Sequence, residues 1–174
     1  MAYLFLAIAI VLRVVPHPWN FTPVGAMFLF SGATLPRKSI SLALPLLALI
    51  ASDAVAVQVL YGGSQPLVTW SSPFTWLGFV VMGALGWSLR RRLSPMRLLG
   101  VTVTGSLLFF VISNFGVWIE GALYARTLDG LVQCYAAAIP FFRNTLCGDL
   151  VYTAVLFGSY RLFAKEPRAT AASP

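Results

Sequence analysis

The 174-residue chain is 59% hydrophobic and only 10% charged, with a mean hydropathy of +0.83. Soluble domains carry about a quarter of their residues as Asp, Glu, Lys or Arg, so this balance excludes that class and points to an integral membrane protein. The net charge of +7 does not imply nucleic acid, because the basic residues stand in short clusters beside apolar runs, as topology signals and anionic-lipid contacts do.

Residues 2–15 are apolar and carry Arg13 near their end. A cleavable leader has its positive charge first, so this reads as a retained first helix, short of the roughly 20 residues a crossing needs. Pro16, Pro18 and Pro23 disfavour helix and predict a rigid, extended turn that holds His17, Trp19 and Asn20. Residues 21–35 form a second short apolar segment, interrupted by Gly25 and Gly32 and closed by Pro36, Arg37 and Lys38. Residues 39–61 make a full crossing with Pro45 and Asp53 inside it, followed at 62–72 by a loop without a charge.

The next crossing is 73–89, with Gly78, Gly83 and Gly86 as close-packing positions. Arg90, Arg91, Arg92, Pro95 and Arg97 make a basic turn before the crossing at 98–119, which holds Asn114. Within the long connection at 120–142, residues 130–139 are apolar but too short to span, and read as a separate interfacial or inward-folded helix. Residues 144–163 make the last crossing. The expected fold is an all-α integral membrane protein. It is a six-helix bundle in one domain, 1–164, with two short first helices, an extra short helix before the last span and a polar tail at 165–174.

Arg37, Lys38, Arg90, Arg91, Arg92, Arg97, Arg161, Lys165 and Arg168 fall on one side of such a bundle, and only Arg13, Arg126 and Arg143 on the other. The basic side faces the cytoplasm, which puts both termini there. Most other polar groups, including His17, Asn20, Asp53, Asn114, Arg143, Asn144 and Asp149, then map to the outer half. That distribution predicts a vestibule open outward and closed inward.

Ionisable groups at membrane depth are costly and mark functional sites, although a structural ion pair has equal standing. Asp53 and Asp149 are the sharpest candidates. Arg143 and Asp149 are six residues apart, about 9 Å of rise and a turn of roughly 240° on a helix, so each needs a partner elsewhere. Arg143 is expected to pair with Asp53, and Asp149 with Arg13. His17, Trp19, Asn20 and Trp118 complete the substrate-binding candidates. Outer aromatics more often form an interfacial belt than a binding box. Asn144 reads as a helix cap, and Asn114 as a hydrogen bond between helices.

Cys134 and Cys147 read as small apolar fillers, and neither cysteine nor histidine spacing suggests a metal. HExxH, GxSxG and GxxxxGK[ST] are missing, so the chain reads as a binder without a cofactor rather than an enzyme. The Leu146-Cys147-Gly148-Asp149 run approaches the GxGD of intramembrane aspartyl proteases but lacks its first glycine.

The block from Arg13 to Met27, the Ser52-Asp53 pair, the run from Asn114 to Trp118 and the block from Cys134 to Leu150 together resemble a family of small bacterial inner-membrane proteins described as transport proteins. The layout is also similar to the membrane-embedded substrate-binding (S) components of energy-coupling-factor vitamin transporters. That resemblance implies six helices, cytoplasmic termini, a site roofed by outer loops one, three and five, and energy-coupling subunits as partners. It further implies a small organic ligand such as a vitamin or cofactor precursor. Solitary cobalamin transporters of that type contact cobalt through a cysteine in the third loop; residues 62–72 contain none. The other function class open to the sequence is a non-transporting structural or accessory subunit whose buried charges only hold helices together.

Overall fold

The computed structural model describes residues 1–14, 18–61, 68–69 and 72–163. Among the described residues the chain is all-helical: α1 (Ala2–Val14), α2 (Val24–Thr34), α3 (Lys38–Tyr61), α4 (Ser72–Gly86, continued by a 3-10 turn at Trp87–Leu89), α5 (Pro95–Glu120) and α6 (Leu128–Phe163). Three stretches are long and apolar enough to cross a membrane: Lys38–Val55, Ser72–Leu89 and Pro95–Glu120. The tail, His17, Trp70 and the side chain of Arg13 lie outside the described residues.

The organising feature is α2. Pro23 precedes its first turn with φ −77°. At the other end Leu35 is extended, as the residue before a proline tends to be. Between these stops, Val24 to Gly32 are all buried. The other helices form a closed ring around it in the order α1, α3, α4, α5, α6 and back to α1, and α2 touches all five. A helix that is apolar all round belongs in a core; here that core is a single short rod.

Backbone proximity makes the arrangement possible. A Cβ on Gly32 would overlap the carbonyl oxygen of Gly83, and one on Gly86 would overlap the carbonyl of Leu29. Small residues therefore let α2 and α4 meet backbone to backbone. Aromatic rings fill the rest. Phe30 packs edge-on against Phe157 and Tyr160, each 5.2 Å away, and Phe28 stacks on Phe79 at 5.5 Å.

The basic end is stitched by polar contacts. Arg90 donates from Nε to the carbonyl of Gly32 (2.8 Å), from Nη2 to Leu35 (2.8 Å) and from Nη1 to Pro36 (3.2 Å). These carbonyls lie at the C-terminal end of α2, where helix acceptors have no intrahelical donor and a cation is favoured. Ser31 Oγ donates to the carbonyl of Ser41 (2.7 Å), and the Trp87 indole donates to Ser41 Oγ (3.1 Å). Phe5 of α1 lies 6.5 Å from Phe163 at the end of α6, so the start of the first helix and the end of the last share this end.

The final helix corrects the expected segmentation. Residues 130–139 are not a separate short helix, because α6 runs unbroken through them and through Pro140 to Phe163. Its 36 residues make a rod roughly 54 Å long. Contacts to α5 hold its first turns: Tyr135 Oη donates to the carbonyl of Val111 (2.7 Å), and Cys134 Sγ lies 3.5 Å from the carbonyl of Asn114. A proline removes one helical hydrogen bond, and packing against neighbouring helices lets the helix continue through it. The first residues of α5 also differ from expectation. Pro95 opens the helix as its first residue and Ser94 Oγ accepts from the Arg97 amide (3.3 Å), a placement where the missing N–H of proline costs nothing.

Candidate functional site

With 11 residues, α2 is roughly 16 Å long, while α3, α5 and α6 have 24, 26 and 36. The ring therefore continues past the first turn of α2, and the space above it is a cavity of about 470 Å³. Val24 and Gly25 line it from the start of α2, with Asn20 and Thr22 from the preceding turn. Asp53 comes from α3, Trp76 and Phe79 from α4, and Phe109, Phe110, Ser113 and Asn114 from α5. From α6 come Phe141, Phe142, Thr145 and Asp149. The cavity and the basic turns thus lie at opposite ends of α2.

Asp149 is only 3% exposed. Ser106 Oγ lies 2.6 Å from its Oδ2 and 3.1 Å from the carbonyl of Thr102. The hydroxyl has one proton for these two acceptors, and the carboxyl oxygen is the nearer of them. A Cβ on Gly25 would overlap Asp149 Oδ1, so glycine at this position allows the carboxylate to lie against the first turn of α2. Unpaired amides and the positive end of the helix dipole favour an anion there. One turn further along α6, Thr153 Oγ1 is buried without a hydrogen-bond partner among the described residues.

The expected ion pairs fare differently. Arg143 is exposed and absent from the cavity lining, and among the described residues no ion pair joins it to Asp53. On a continuous α6 the positions facing the cavity are Ala138, Phe141, Phe142, Thr145 and Asp149, and Arg143 is turned roughly 240° from Asp149. Arg143 also lies well inside α6, whereas the last crossing was expected to begin only at residue 144. Asp149 has the Ser106 hydroxyl as a partner; its expected pairing with Arg13 falls on a side chain outside the described residues.

Of the other candidates, Asn20 and Asp53 line the cavity, while Trp19 and Trp118 do not. Trp19 is 82% exposed, and its carbonyl accepts from Asn144 Nδ2 at 3.0 Å. Asn144 therefore ties the first connection to the middle of α6 instead of capping a helix. The Trp118 indole is shared between the carbonyls of Ala125 (3.0 Å) and Thr127 (3.2 Å), which pins the connection between α5 and α6. Asn114 bonds the carbonyl of Phe110 in its own helix (2.8 Å), not a neighbouring helix. Cys134 is buried as a filler, whereas Cys147 is exposed.

Asn20 holds φ 60°, a left-handed conformation that asparagine accepts more readily than most residues. Sequence reasoning passed over Ser106, Phe109, Phe110 and Ser113. Their signal was a stripe on α5: Thr102, Ser106, Phe110, Ser113 and Val117 recur at three- and four-residue steps, so they share one face of the helix.

No curated protein and no solved structure matches the chain. A family model does, over residues 1–171: the chain belongs to the family of unknown function DUF6580.

Proposed function

We propose that this protein resides in a membrane with both termini on the cytoplasmic side, and that it takes up a small organic molecule through the cavity above α2. One observation carries the reading: the cavity is walled by aromatic rings, has a few convergent polar groups, and lies at the end of the molecule opposite the basic turns. Binding sites for organic ligands are typically concavities of about 300–1,000 Å³ with this mixture of surfaces. The positive-inside tendency assigns the basic end to the cytoplasm, so the cavity faces outward. We extend the likeness to S components to the ligand class, a vitamin or cofactor precursor, and to energy-coupling subunits as partners.

Native mass spectrometry of the purified full chain tests the reading, with a bound organic molecule as the expected result. Protein that is empty and gains no stability from a broad set of small organic compounds would instead favour a structural or accessory subunit. Cysteine-accessibility labelling at Ser94 tests orientation. Reaction from the periplasmic side would overturn the outward placement.

A further inference from the structure

We infer, resting on the reading of the cavity as a ligand site, that its ligand carries a cationic nitrogen, such as a protonated amine, seated on Asp149 with an apolar or aromatic body against the phenylalanine rings. The described lining contains carboxylates but no Lys, Arg or His. The nearest cation in sequence on α6, Arg143, faces away and is exposed. Asp149 is held by two groups that orient it without neutralising it: the Ser106 hydroxyl at 2.6 Å and the first turn of α2 across Gly25. No cation partners it among the described residues.

A buried carboxylate left without a countercharge is costly, and a cation brought in by the ligand offsets that cost. The walls suit the same chemistry. Phe79 and Phe109 lie 4.3 Å apart and Phe110 and Phe142 4.9 Å apart, and aromatic faces attract organic cations. An anionic ligand would meet Asp149 as a like charge, which selects against it.

Three probes with one aromatic body separate the possibilities: 2-phenylethylammonium, 2-phenylethanol and phenylacetate, titrated calorimetrically into the detergent-purified full chain. Saturable binding of the ammonium compound, at least about tenfold tighter than the alcohol, with no binding of the carboxylate, is expected. Asp149→Asn should erase the preference between ammonium and alcohol. Ser106→Ala is the second arm, which keeps the test open if Asp149→Asn does not fold. It keeps the carboxylate but loses its orienting hydroxyl, and should weaken ammonium binding severalfold. Equal or tighter binding of the alcohol or the carboxylate, or an unchanged preference in folded Asp149→Asn, overturns the cationic class while leaving the cavity a ligand site. If no probe binds and the protein also purifies empty, the ligand-site reading falls with it.

Discussion

The two ends of α2 meet their surroundings in opposite ways. At the C-terminal end, Arg90 satisfies three carbonyls, and Gly32 and Gly86 bring the α2 and α4 backbones together. At the N-terminal end the helix stops, the ring goes on, and a cavity with a carboxylate at its floor occupies the remaining length. The contrast has a simple origin. A rod of roughly 16 Å inside a ring of longer helices can fill only one end, so the filled end is where the fold is held and the other end is left as a cavity.

The largest expected effect comes from Gly32→Ala, at the filled end. The new methyl group would overlap the Gly83 carbonyl, and no side-chain rotation relieves a backbone contact. A loss of about 3 kcal/mol is expected, read from chemical unfolding in micelles. An unchanged midpoint would mean that α2 and α4 are not this close.

Arg90→Ala ranks next. It strips the donors from the last carbonyls of α2, and hydrogen bonds to charged groups contribute about 1.5–3 kcal/mol when well made. Partial exposure lowers the expectation to about 1–2 kcal/mol. Lysine cannot span several carbonyls with a planar fork, so Arg90→Lys should recover less than half. Full recovery by lysine would show that charge alone matters there.

At the cavity end, Gly25→Ala presses on side-chain atoms of Asp149 and Met82, which can shift, so the stability loss should be about 1 kcal/mol. Binding should suffer more, because the displaced carboxylate leaves the first turn of α2. An affinity for 2-phenylethylammonium lowered about tenfold, about 1.4 kcal/mol, is the expected calorimetric result. Wild-type affinity would separate the carboxylate's position from recognition.

Arg143→Ala should change least. An exposed side chain off the cavity lining is worth no more than about 0.5 kcal/mol either way, and probe affinity should stay at the wild-type value. A marked loss of either would return Arg143 to the site and weaken the contrast between the two ends.

Much of this was legible in the residues. Apolar runs bounded by clusters of Pro, Gly and Arg located most helix ends, although Pro45 and Pro140 stand inside helices. Asn20, Asp53 and Asp149 could be gathered at one end because alternating chain direction fixes which half of each segment lies where. The face that each residue presents could not be read. In helices apolar on every side, periodicity does not separate the inward face from the outward one. Arg143 was expected to pair with Asp53 and Asp149 with another helix, and only the ring closed around α2 shows Arg143 exposed and Asp149 enclosed. Pro140 looked like a break because a proline ends an isolated helix, and only packing against α5 lets α6 continue through it. The role of Arg90 was hidden for a similar reason. A charge beside an apolar run signals a boundary by its position alone, whereas the carbonyls it bonds, Gly32, Leu35 and Pro36, lie more than fifty residues away and are brought to it only by the tertiary structure.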